Sequence, residues 1–290
     1  MLFSSLKKII KKRLRTMRRR LSKHLFAESM LKRRGIEARL DDIEILGIGS
    51  SHCTRGFDSD MIDKAFNLGV VDQDLYSTHY IFDQYIDEFK NLKHVIAFYS
   101  VHSQGHELCK TSSVKNTVVS HYVFGVPYNV DYLKKWRRAV QHRFKTFDDS
   151  NIDYKTFSGY VPEKKNPNVT PPTPEFRCAH HLRENRRIIK QNHHLFKMAE
   201  VCQKKGIQFS IVIAPCRSDF LKELEKYHFC DEELFYEVFH WAKENNVPIL
   251  NELHATDYEW DDFYDCDHLD ISGAKKLTKK IADFIQVPLK

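Results

Sequence analysis

Apolar positions along the chain follow two spacings, and their alternation predicts an α/β protein. Residues 43–47 form a short apolar run that enters Gly47-Ile48-Gly49-Ser50-Ser51-His52, a strand ending in a sharp turn. Residues 61–68 are expected to be helical, with a short strand near 67–71, and 78–89 set Tyr80, Ile81, Tyr85 and Phe89 at helical intervals. Residues 94–101 are the clearest strand, a continuous β-branched and aromatic run. Helical spacing returns over 177–205 and stops at Gly206, a C-cap residue. A buried strand over 207–214 is ended by Pro215, a helix follows over 231–245, and a short strand over 247–251. Residues 272–285 close the chain as a helix with Leu277, Ile281 and Ile285 on one face. Strands alternating with helices imply parallel β-α-β units, hence a three-layer α/β/α sandwich with a mostly parallel, flavodoxin-like sheet.

Two stretches stand apart from that pattern. Residues 103–176 hold polar segments, a basic helix at about 131–147, and five of the nine prolines between 162 and 174; they read as an insertion or covering lid. The first 35 residues form a separate N-terminal unit, and 36–290 the α/β domain. Leu6, Ile10, Leu14, Met17, Leu21 and Leu25 recur at steps of three and four, making an apolar stripe on a basic amphipathic helix.

Charge sharpens the picture of that unit. The net +7 is carried by the start of the chain: residues 1–24 hold ten Lys or Arg and no acid, which leaves −3 for the rest. Three roles fit such a helix: residues 1–25 lying on an anionic membrane surface, packing on the body or a partner, and contact with nucleic acid. The acidic body and the lack of a recognition motif make nucleic acid the weakest of the three. Basic residues interrupt every apolar stretch, so neither a secretory signal nor a membrane span is expected. The seven cysteines are scattered without a C-x-x-C pair, which suits a reducing compartment. A cytoplasmic protein, peripheral on an inner membrane, is the expectation.

The chemistry collects where strands end. In open parallel sheets functional residues gather at the carboxyl ends of strands, here 50–52, 102–104, 215–219 and the loop before the last helix. A serine at a strand-to-helix turn exposes its hydroxyl beside backbone N–H groups. It needs a base, and the base needs an orienting acid. Asp265-Cys266-Asp267-His268 offers both, directly before the closing helix.

G-S-S-H after an early strand and D-x-D-H-L-x-x-x-G-A before the last helix resemble the first and last motif blocks of the SGNH/GDSL hydrolase superfamily. The resemblance implies Ser51 as nucleophile, His268 as base and Asp265 as orienting acid. The F-Y-D-x-D-H-L form is similar to branches that act in bacterial cell-surface polysaccharide modification, including O-acetyltransferase-like members. It implies ester hydrolysis or acyl transfer on a carbohydrate in capsule or lipopolysaccharide modification, with no cofactor unless an acyl donor such as acetyl-CoA serves a transferase. The middle blocks depart from the pattern. Gly69 fits the glycine oxyanion donor loosely, and His102 or Gln104 stands where an amide side chain is usual. A non-catalytic glycan- or partner-binding protein is therefore the alternative.

Other candidates have two readings each. His52 adjoins the nucleophile. Arg217 and Asp219 either bind an anionic or sugar substrate or pair with each other. His102 and His106 have metal-ligand spacing but follow a strand and lack a third ligand, so no metal is expected. His180-His181 and His193-His194 read as exposed helix residues. Cys53 and Cys266 read as packing residues, since nothing nearby would activate a thiolate.

Overall fold

The strongest apolar run becomes the centre of a five-stranded sheet. In the computed structural model, which describes residues 23–110, 114–162, 170–185, 190–227 and 231–290, β3 (His94–Tyr99) is buried at every position. It lies between β1 (Ile45–Ile48) and β4 (Gln208–Ile213), with β2 (Ala65–Asn67) beyond β1 and β5 (Ile249–Asn251) beyond β4. All neighbouring pairs are parallel, in the order β2-β1-β3-β4-β5. That is the flavodoxin-like doubly wound order, whose direction of winding switches between β1 and β3.

The period-two alternation of side chains divides the core. Val95, Ala97 and Tyr99 of β3 face the larger cluster, while Ile96 and Phe98 face the smaller one. The larger face is covered by α1 (Lys23–Arg39), α3 (Leu75–Tyr85), α4 (Val114–Phe124), α5 (Leu133–Thr146), α7 (Asn192–Lys204) and α9 (Asp231–Glu244). The smaller face is covered by α2 (Ser51–Gly56) and α10 (Ile271–Phe284), through Cys53, Leu277 and Ile281. Sheet and two helical layers make the three-layer sandwich. The remaining helices, α6 (Pro174–Asn185) and α8 (Ser218–Lys226), pack together near the carboxyl ends of the strands.

Two local expectations are corrected. The stretch 61–68 is not a helix: Ala65–Asn67 pair parallel with Ile45–Gly47 as the edge strand β2. A three-residue strand with every side chain buried shows no alternation, so spacing alone could not separate it from a helix. The stretch 177–205 is two helices, α6 and α7, instead of one. The segment 103–176 contains α4 and α5, whose Val118, Val119, Val123, Ala139 and Val140 belong to the main core.

Of the N-terminal stripe, Leu25 is within the described residues and is buried; Leu6, Ile10, Leu14, Met17 and Leu21 lie outside them. Helix α1 buries Phe26, Met30 and Ile36 on the body, and also buries Lys32 completely. The Lys32 ammonium donates to Gly69 O at 2.5 Å and to Asn67 Oδ1 at 3.3 Å. Burial lowers its proton affinity, with Glu28 opposing at 3.5 Å.

Candidate active site

The turn after β1 is built around a glycine. Gly49 has φ +135°, a conformation that side-chained residues rarely adopt, and a Cβ there would stand 2.9 Å from Phe98 O. The chain then passes through Ser50 into α2, so Ser51 opens a helix at the carboxyl end of β1. The first intrahelical bonds run from Cys53 N and Thr54 N to Ser50 O. The amides of Ser51 and His52 precede them in the first turn of α2.

The last motif is a closed loop. Phe263 and Leu269 form an antiparallel bridge, and Tyr264 N donates to His268 O at 2.8 Å. Asp265 Oδ1 accepts from Asp267 N at 3.1 Å and His268 N at 2.9 Å, which fixes the carboxylate against its own loop. Asp270 then caps α10 through Ser272 N and Gly273 N. Gly273 lets α10 approach the preceding chain: a Cβ there would lie 2.2 Å from Asp262 O.

These two ends of the chain meet at the winding switch. Ser51 Oγ is 2.8 Å from His268 Nε2, and His268 Nδ1 is 3.0 Å from each Asp265 oxygen. With Nδ1–H donated to the carboxylate, Nε2 keeps its lone pair for the Ser51 proton. Burial works to raise the Asp265 pKa, but the adjoining His268 and Arg177 together hold the carboxyl below its usual range. The three groups are buried side by side, with 8%, 5% and 6% of Ser51, Asp265 and His268 exposed.

A cleft of about 300 Å³ opens on this chain of bonds. Its walls include Ser51, Arg55, Asp72, His102, Asn116 and Arg177. Arg55 lies over the Tyr264 ring at 4.3 Å and 4.0 Å from Asp265 Oδ2. Asn116 donates to Asp72 Oδ2 at 2.9 Å.

The other sequence candidates separate. His102 reaches the cleft, while Gln104 is not among its walls and its carbonyl accepts from Gln191 N at 2.7 Å. Gly69 lies against α2, where a Cβ would meet Cys53 Cβ and Thr54 N at 2.7 Å. Its N–H is donated to Asn67 Oδ1 at 3.0 Å. The His52 ring is not among the cleft walls; it stacks on His268 at 4.9 Å, with Nε2 3.8 Å from Asp267 Oδ2. Arg217 and Asp219 pair with each other through two bonds of 2.7 Å, and Arg217 also sits 3.7 Å over Trp260. Burial pushes the Cys53 thiol up to about 12 and raises that of Cys266, so both are packing residues.

His181 overturns the expectation of an exposed residue. It is 3% exposed, and its Nε2 lies 3.4 Å from Asp267 Oδ2. Helix α6 packs over the site, a long-range placement that a helical spacing pattern cannot reveal. His194 is half-buried against His79, with Nδ1 atoms 3.0 Å apart, whereas His193 is exposed.

Sequence reasoning also missed Asp267 and Arg177. Asp267 is fully buried beside Asp265, and Arg177 of α6 donates to both its oxygens, at 2.9 and 2.5 Å. Burial opposes the charge on Asp267, but His268 and Arg177 hold its pKa well below the usual range. The second acidic residue of D-x-D-H was visible in the sequence; its partner ninety residues earlier was not. His52, Asp267 and His268 bring a nitrogen or oxygen each close enough to surround a cation. The guanidinium of Arg177 already brings a positive charge to Asp267 in that cluster.

No family model and no curated protein matches the chain. Solved structures match it weakly. A protein from Desulfitobacterium hafniense assigned as a lipolytic protein of the G-D-S-L family has 12% identity and a TM-score of 0.39, over 83% of this chain and 98% of its own. A Streptococcus pneumoniae protein assigned as a platelet activating factor has 10% identity and a TM-score of 0.42, over 98% of both chains. One from Bacteroides fragilis assigned as an acylhydrolase has 10% identity and a TM-score of 0.41, over 84% and 86%. At these scores the reading of the site rests on the geometry of this chain alone.

Proposed function

We propose that this chain carries out serine-dependent ester hydrolysis or acyl transfer, with a carbohydrate carrying or accepting the acyl group. The observation that carries the reading is the continuous relay from Ser51 Oγ through His268 to Asp265, at 2.8 and 3.0 Å. His268 Nε2 takes the Ser51 proton as Oγ attacks the ester carbonyl, and the tetrahedral oxyanion falls beside the Ser51 and His52 amides at the start of α2. The same Nε2–H then protonates the departing alcohol, leaving an acyl-serine that water or a sugar hydroxyl resolves. The cleft walls, rich in imidazole, amide and guanidinium groups, favour a small acyl group on a polar substrate over a long lipid chain. The finer reading is modification of capsule or lipopolysaccharide precursors, with residues 1–25 on an anionic membrane surface and acetyl-CoA as donor in the transfer case.

One observation favours the second reading, a glycan- or partner-binding protein without turnover. The Gly69 N–H is already engaged by Asn67 Oδ1, which removes one candidate oxyanion donor. Losing a single donor costs about 10²–10³ in rate, so a serine relay alone does not guarantee a fast enzyme. A chromogenic acetyl ester such as p-nitrophenyl acetate separates the two readings. Ser51→Ala and His268→Ala are each expected to lower kcat/KM by about 10³-fold or more. Equal turnover by the wild type and both variants would leave the binding reading.

A further inference from the structure

Asp267 lies outside the serine relay, yet Oδ1 is 3.4 Å from His268 Nδ1. A second full anion so close to the ring would hold a proton on it and leave Nε2 unable to act as a base at neutral pH. Arg177 meets that anion side-on. Its Nε donates to Oδ1 and its Nη2 to Oδ2, the planar fork that matches a carboxylate. The pair spans two distant parts of the chain, since Asp267 belongs to the loop before α10 and Arg177 to α6.

We propose that Arg177 and Asp267 form a charge pair that sets the basicity of His268. Asp267 adds an anion beside the ring, and Arg177, carried on the overlying helix, cancels it. The proposal rests on reading His268 as the base for Ser51 and adds two positioning residues to that reading. They act through His268 and need not touch substrate.

The surroundings make the pair the adjustable element. From its own loop His268 faces Asp265 and Asp267; from α2 it faces Ser51 and the stacked His52, with Arg55 4.0 Å from Asp265. From α6 come Arg177 and His181, both against Asp267. His102 lies next to His181, their ring centroids 4.5 Å apart. Burial keeps His52, His102 and His181 neutral, bringing His52 down to about 3. They contribute dipoles rather than charge, so Asp265, Asp267, Arg177 and Arg55 are the fixed charges around the ring.

The test is a direct titration of His268 in the full-length protein, read from its imidazole Cε1–H resonance by NMR and assigned through its loss in His268→Gln. Charges about 6 Å apart at an effective dielectric constant of about 20 shift a titration by roughly two pH units at most. Arg177→Gln is expected to raise the His268 midpoint by about one to two units, and Asp267→Asn to lower it by a similar amount. The double variant, which removes both charges, is expected to return near the wild-type midpoint, as is Arg177→Lys, which keeps the charge without the fork. A midpoint in Arg177→Gln that coincides with the wild type would overturn the proposal. So would a double variant displaced as far as Arg177→Gln alone, and this arm remains decisive if a single variant does not fold. The titration needs no ester turnover: absence of Ser51-dependent activity would sink the esterase reading and leave the charge pair standing.

Discussion

Replacing Asp265 by Asn changes one heavy atom and tests the relay at the group that orients its base. In the wild type the carboxylate receives four contacts: His268 Nδ1 on both oxygens, and the backbone N–H groups of Asp267 and His268 on Oδ1. An asparagine can keep its carbonyl oxygen on the two backbone donors, so the loop geometry survives. Its amide NH₂ then faces Nδ1, which must become the acceptor. The ring proton moves to Nε2, and Nε2 can no longer take the Ser51 proton. Where such a tautomer reversal is complete, kcat falls by about 10⁴. Asp267 Oδ1, 3.4 Å from Nδ1, offers a partial substitute that keeps some of the correct tautomer. The expected loss in kcat for Asp265→Asn is therefore smaller, about 10²–10³, or roughly 3–4 kcal/mol of barrier. In Asp265→Asn/Asp267→Asn a further tenfold or greater loss is expected, approaching the full effect. Steady-state hydrolysis of p-nitrophenyl acetate at pH 8, with thermal melts to verify folding, measures both. Wild-type kcat in a folded Asp265→Asn protein would refute the role given to Asp265.

Two further outcomes follow from the same environment. His52 titrates at about 3 in the fold and near 6.5 when unfolded, so the unfolded chain binds the extra proton between those values and stability falls as pH drops from about 6.5 toward 3. By pH 5 His52 alone should cost about 2 kcal/mol, with His102 and His181 adding in the same direction; urea midpoints that do not differ between pH 7 and 5 would contradict this. Gly273→Ala should destabilise by about 1–3 kcal/mol because its Cβ would stand 2.2 Å from Asp262 O, and an unchanged melting temperature would show that α10 can shift at no cost.

The fold was legible because local rules carried it. The apolar runs at β1, β3 and β4 are buried on both faces, and continuous β-branched sequence can hardly be anything else in a parallel sheet. The serine turn and the closing loop were legible for the same reason: Gly49, Gly273 and the Asp270 cap mark sharp local geometry that sequence records directly. What sequence could not reveal depends on contacts between distant elements. Arg177 sits in a helix after a proline-rich stretch, and nothing within that helix says it will meet Asp267. His180 and His181 have the same composition in sequence but different fates, since the orientation of α6 buries the second. The family resemblance offered Gly69 as a loose fit to an oxyanion donor; its N–H is claimed by Asn67, a side chain two residues away.

The buried carboxylate explains why stability and chemistry cannot be separated at this site. A lone carboxylate buried as deeply as Asp267 would cost several kcal/mol of desolvation, a large share of the roughly 5–15 kcal/mol that holds a domain folded. The fold keeps it charged by bringing Arg177 across from α6 and lining the gap with neutral imidazoles of His52 and His181. Each of these groups also surrounds the ring that Ser51 depends on. Removing Arg177 therefore acts twice, leaving an unpaired buried anion and placing it against the base. The same anion without its partner is what would stop Nε2 from accepting a proton. Helix α6 is thus held to the Asp265–His268 loop by the same Arg177–Asp267 contact that the proposed basicity of His268 depends on.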